Sequence, residues 1–172
     1  MRSNPPVYRI QLNRTGSVPG IPRKYKNPED AAEIFRNVLG DPDREHLLAI
    51  YLDANSNVVG VQVIAIGNYN MLHSEARDLF GCGILLHAAD IVLVHNHPSG
   101  DPTPTDTDEI RTREIEIIGL LMAVTLLDHV VVGGTEYRSI RATGRMLLSA
   151  ADEEDLPPEQ FERRMRDLLG LP

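Results

Sequence analysis

The run Asp90-Ile-Val-Leu-Val-His95 constrains this chain more than any other stretch. It has strand length, and an almost wholly apolar strand must be covered on both faces, which puts it at the centre of a sheet between helical layers. A second run, His46-Leu-Leu-Ala-Ile-Tyr-Leu-Asp53, has the same character. The turn-prone Asn55-Ser-Asn57 follows it, then Val58 to Ile66, rich in β-branched residues, and the pair reads as a hairpin. Leu126 to Val132 and Glu136 to Ile140 read as a second hairpin around Gly133-Gly134.

Helical patterns fill the intervals. Pro28 suits a first helical position, Glu29 and Asp30 suit the first turn, and Ala31, Ile34, Phe35 and Val38 recur at helical spacing before Gly40. Residues 74–88 read as helix, although Gly81 and Gly83 weaken it. Residues 105–123 are the clearest amphipathic helix, with Ile110, Ile117 and Leu121 assigned to its apolar side. The order is helix, two strands, helix, strand, helix, two strands. That predicts an α/β sandwich with a mixed sheet flanked by helices.

The predicted domain runs over 29–145. Residues 1–28 are Pro/Gly-rich, with a short edge strand over Val7 to Leu12 as their one candidate element. Residues 146–172 begin acidic and pass through Pro157-Pro158 into an amphipathic helix carrying Phe161, Met165, Leu168 and Leu169. Such a helix either packs back on its own domain or joins two copies into a homodimer.

The net charge of −8 conceals an asymmetry. Residues 1–28 hold six basic and no acidic side chains, which leaves 11 basic and 25 acidic residues, a net −14, for the remainder. A body of that sign argues against a broad duplex-binding face, which needs clustered Lys and Arg. The basic leader either is a solvated arm or makes a weak contact with an anionic partner such as nucleic acid. The lone Cys82 excludes an internal disulfide framework and a Cys-rich zinc site. No apolar run reaches the roughly 18 residues of a membrane helix. The opening MRSNPPVYRIQLNR has no secretory apolar stretch, so the expectation is a protein of the cytoplasm with no membrane partner.

Chemistry concentrates in residues 95–108, HNHPSGDPTPTDTD. His95 and His97 are two apart at a strand end, so both imidazoles point to one side. The proline-bounded loop reverses the chain, and Asp108 falls in the first turn of the next helix, where its carboxylate can swing back. Two histidines and one carboxylate are three protein ligands, with a fourth position open to water, the layout of a catalytic zinc. Glu45, just before the strand that starts at His46, is available as the general base. Thr105 could donate to an oxyanion. Each residue has a plainer reading. A His-x-His pair also occurs without a metal, the prolines can simply shape a loop, Thr105 and Asp108 make a capping box, and Glu45 can be a solvated carboxylate.

His95-x-His97, ten residues and Asp108, with a hydroxyl residue three before the aspartate, resembles the JAMM motif of JAB/MPN metalloproteases. The full string, with Leu127-Asp128-His129 downstream, resembles the RadC branch, and the likeness runs from Glu45 to about Ile140. The resemblance implies a JAB/MPN α/β fold and zinc bound by His95, His97 and Asp108. It also implies Glu45 as catalytic glutamate and Thr105 in the place of the usual serine. The implied activity is hydrolysis of a peptide or of an isopeptide-linked protein. A DNA-repair role follows from the same branch, and a non-catalytic interaction module from relatives that have lost their ligands. The chain departs from the pattern at Thr105, at Gly67-Asn68 where the branch has Gly-Thr, and at Glu75-Ala76-Arg77-Asp78 where it has His-Pro-Arg-Glu.

Overall fold

A computed structural model describes residues 12–67 and 72–146, together with residues 163 and 166. The C-terminal helix expected through Phe161 to Leu169, and all of the Val7 to Leu12 strand except Leu12, lie outside the described residues.

Helix α1 (Pro28–Leu39) starts as its sequence dictates. The Asn27 side chain accepts from the Asp30 amide, the Asp30 carboxylate accepts in return from the Asn27 amide, and Pro28 occupies the first turn. Gly40 ends it at φ 70°. The remaining elements are β1 (His46–Leu52), β2 (Val58–Ile66), α2 (Leu72–Leu85), β3 (Asp90–Asn96), α3 (Asp106–Met122), β4 (Thr125–Gly133) and β5 (Glu136–Ser139). In the β1–β2 turn the Asp53 carboxylate accepts from the Asn55 and Asn57 amides and from the Asn57 side chain.

The strands form one sheet in the order β2-β1-β3-β4-β5. Only β3 and β4 are parallel, joined by α3 as crossover, so the sheet is mixed as predicted. Strand alternation builds two cores. Leu47, Ala49 and Tyr51 of β1 with Ile91 and Leu93 of β3 face α2 and α3, where Leu79, Phe80 and Ile115 cover them. Leu48, Ile50, Leu52, Val92 and Val94 face the other way, onto Ile34 and Phe35 of α1. The apolar runs that suggested central strands are thus buried on both faces.

Gly81 and Gly83 do sit within α2. A Cβ on Gly83 would lie 3.4 Å from the Tyr51 ring and 3.5 Å from Ile91, so its small size lets the helix approach the sheet.

The apolar face assigned to α3 needs correction. Ile110 and Leu121 are 54% and 65% exposed. The buried face is Asp108, Thr112, Ile115, Glu116 and Gly119, which is equally periodic but largely polar or small. It turns inward because the N-terminal half of α3 covers a polar site rather than a greasy core. At the other end a Gly119 Cβ would meet the Val124 carbonyl at 2.6 Å, so backbone contact replaces side-chain packing there.

Candidate metal centre

Strand β3 delivers His95, fully buried, at its end, and the His97 amide continues the pairing by donating to the Val132 carbonyl at 2.8 Å. The loop then turns through Gly100 at φ 83°, whose amide donates to the His97 carbonyl. Glycine suits that left-handed position. Thr105 caps α3 and so fixes where its first turn points.

Three side chains meet as a result. The His95 and His97 Nε2 atoms are 3.0 Å apart, and each lies 3.4 Å from an Asp108 oxygen, Oδ1 for His95 and Oδ2 for His97. Ligand bonds of about 2.0–2.2 Å in a tetrahedron put zinc ligands about 3.3–3.5 Å from one another. The two histidine–carboxylate separations match that spacing, and the two histidine nitrogens sit slightly closer together.

The hydrogen bonding also fits a metal. His97 Nδ1 is 2.8 Å from the Asp101 carbonyl, which can only accept, so Nδ1 carries hydrogen and the neutral ring presents an Nε2 lone pair. Asp108 Oδ2 accepts from both the Thr105 amide and the Thr105 hydroxyl at 2.7 Å, which leaves Oδ1 the freer oxygen. Two imidazole nitrogens and a carboxylate facing one another at these distances suit a shared cation. His95, His97 and Asp108 could therefore hold a metal ion, and His97, the least buried of the three, marks the side open to solvent.

The electrostatics follow from the same contacts. Burial acts to raise the Asp108 carboxyl, but the adjacent His95 and His97 rings and the Thr105 hydroxyl outweigh it and hold the group far below the usual carboxylate range. The His97 imidazole is raised, chiefly because its protonated form can donate from Nε2 to Asp108, against an opposing effect of burial and with help from the Asp101 carbonyl and the Glu45 charge.

Glu45 stands at the same end of the sheet. Leu47 pairs with His95, and continuing that antiparallel register brings Glu45 level with His97. It is half-buried and lines a cavity of about 370 Å³ with Arg44, Gly67 and Pro98. A second cavity, about 320 Å³, includes His97, Pro42, Phe35 and Val132. Open space thus lies beside both Glu45 and His97. Thr105 Oγ1 accepts from the Asp108 amide at 3.2 Å and donates to Asp108 Oδ2, so the capping box foreseen for these two residues is present.

Two contributors are less obvious from sequence. Asn96 lies between the histidines and is buried. Its Oδ1 accepts from the His46 amide at 2.8 Å, and its Nδ2 donates to the Arg44 carbonyl at 3.0 Å. It therefore clamps the backbone on both sides of Glu45. His129 on β4 is buried behind His95, with Nε2 2.8 Å from His95 Nδ1. Burial, then the neighbouring His95, hold its pKa well below the usual histidine value, so the ring is neutral. The Leu127-Asp128-His129 string was the only sequence signal for it.

Among the described residues no helix is long and apolar enough to cross a membrane.

The sequence model of the RadC-like JAB domain matches residues 25–145. The chain is 38% identical over 117 residues to a UPF0758 protein of Desulforamulus reducens, covering 68% of this chain and 52% of the relative. It is 38% identical over 126 residues to one of Syntrophomonas wolfei, covering 71% and 54%. Against one of Roseiflexus castenholzii the identity is 37% over 121 residues, covering 70% and 52%. The chain spans about half the length of these curated relatives. With the matched segment enclosing every element of the sheet and all three residues of the candidate metal centre, the chain belongs to the RadC-like JAB domain family.

Proposed function

We propose that this chain is a zinc-dependent hydrolase of the JAMM type that cleaves a peptide or isopeptide bond. The observation that carries the reading is the convergence of His95 Nε2, His97 Nε2 and the Asp108 carboxylate, at separations of 3.0 and 3.4 Å, with Glu45 at the same sheet end. When bound, the ion supplies Lewis-acid polarisation and makes water a usable nucleophile near neutral pH.

The chain's own groups do the rest. Glu45 takes the proton of the attacking water and returns it to the leaving amine. Asn96 holds Glu45 by its flanking backbone. Thr105 orients Asp108 first, and its hydroxyl serves a developing oxyanion only on exchanging that bond. The acidic body beyond residue 28 supports a protein substrate over a nucleic acid.

The experiment is metal analysis of the purified chain and of His97→Ala, with cleavage of a peptide library followed by mass spectrometry. Stoichiometric zinc in the wild type and its loss in the variant are expected. Zinc retained in His97→Ala would remove the ligand assignment. Glu45→Gln should keep its zinc and lose cleavage, and full activity there would remove Glu45 from the chemistry.

A further inference from the structure

A zinc-binding imidazole must present the nitrogen that carries no hydrogen, and which nitrogen that is depends on the partner of the other one. His97 is set by a backbone carbonyl. His95 has no such partner. Its Nδ1 faces a side chain, His129, whose ring could accept or donate.

The ambiguity is resolved one residue further on. Thr112 Oγ1 lies 2.6 Å from the Asp108 carbonyl oxygen and 2.7 Å from His129 Nδ1. The carbonyl only accepts, so the hydroxyl hydrogen goes to it. Oγ1 is then the acceptor toward His129, whose Nδ1 carries hydrogen. His129 Nε2 is left with a lone pair, so the hydrogen in its 2.8 Å contact belongs to His95 Nδ1. His95 Nε2 is thereby the bare nitrogen, and it is the one facing His97 and Asp108.

We propose that Thr112 and His129 are positioning residues, a one-way hydrogen-bond relay that fixes His95 in its metal-binding tautomer. The relay starts on the backbone of Asp108, so one residue of α3 supplies both a ligand oxygen and the anchor that orients a second ligand. This rests on the metal centre proposed above.

The fold contains a device for it. Leu126 pairs with Ile91, and Asp128 pairs with Val92, so Leu127 is an extra residue in β4. Such a bulge shifts the alternation by one place. Leu126 and His129, three apart, consequently both lie on the α3 side of the sheet, His129 opposite Leu93. An unbulged strand would turn His129 toward α1, away from His95.

The test uses the whole chain, with Thr112→Val, which keeps the shape and removes the hydroxyl, and Thr112→Ser, which restores it. Zinc affinity is measured by chelator competition. Thr112→Val should bind roughly 10- to 100-fold more weakly, the range found for lost partners of metal-binding histidines, and Thr112→Ser should recover most of that loss. Equal affinity of wild type and Thr112→Val would overturn the relay. Long-range proton–nitrogen NMR of the metal-free wild type at mildly alkaline pH reads the tautomer directly, without a variant that has to fold. His95 should carry hydrogen on Nδ1; hydrogen on Nε2 would overturn the proposal. A wild type that shows the Nδ1 tautomer yet binds no zinc supports the relay and rejects the metal centre, so the two failures are distinct.

Discussion

Asn96 Oδ1 accepts the His46 amide at 2.8 Å, while the same side chain donates to the Arg44 carbonyl. The residue between the two histidines thus fixes the backbone on either side of Glu45. Asn96→Ala removes both bonds at a partly buried site, for a loss of about 1 kcal/mol measured by denaturant unfolding. Cleavage should fall while zinc content stays near one per chain. An unchanged stability would show that the clamp contributes nothing.

Gly133 packs against the loop that holds His97. A Cβ there would lie 2.5 Å from the Gly100 carbonyl and 2.6 Å from the Pro102 nitrogen, and both contacts are backbone. Gly133→Ala must push that loop outward, and with it the Asp101 carbonyl bonded to His97 Nδ1. We expect a destabilisation of about 1–3 kcal/mol with weaker zinc binding. Calorimetry and chelator competition on the same preparation check both. The next residue, Gly134, has nothing within 4 Å of its Cβ position, but its φ of 55° favours glycine, so it does not serve as a neutral control. Gly81, with open space and no positive φ, serves as the control for zinc binding, its alanine variant being expected to stabilise α2 by about 0.5–1 kcal/mol.

Zinc should stabilise the fold, because its ligands come from β3 and α3 and converge only when both are in place. A hundredfold excess of free zinc over its dissociation constant should add about 2.7 kcal/mol. Chelator should therefore lower the melting temperature of the wild type. The melting temperature of His97→Ala should not respond to zinc or chelator.

Tyr51 tests the core independently of the site. Its hydroxyl is 3.0 Å from the Leu79 carbonyl and 2.9 Å from the Gln62 side chain, tying β1 to α2 and β2. Burial foremost raises its pKa well above the usual tyrosine value, so the hydroxyl remains neutral. Tyr51→Phe should lose about 1 kcal/mol in unfolding experiments and leave zinc affinity unchanged.

What was legible in the sequence follows one pattern. The runs at 46–53 and 90–95 marked central strands because an apolar run needs cover on two faces, and β1 and β3 have it. His-x-His before a proline-bounded loop and an early helical aspartate marked the candidate metal centre because strand period and helix start are local geometry. The capping boxes at Asn27 and Thr105 were equally local. The α3 face was misassigned because two stripes of that helix share the same period. Ile110 and Leu121 are the greasier one, yet what lies opposite decides, and opposite the N-terminal half of α3 are the buried His95 and His129.

The elements, the sheet's central strands and the three side chains able to meet around a metal were therefore legible from residue order, since each depends on spacing within one short segment. Tertiary structure alone decided which nitrogen of His95 is bare and what holds Glu45. The first depends on a single extra residue in β4 that turns His129 under β3, and on Thr112 facing it from another element. The second depends on Asn96 reaching across to the start of β1. Hydrogen-bond direction is set by the last acceptor in a chain of contacts, and in this protein those contacts join residues 17, 34 and 50 positions apart.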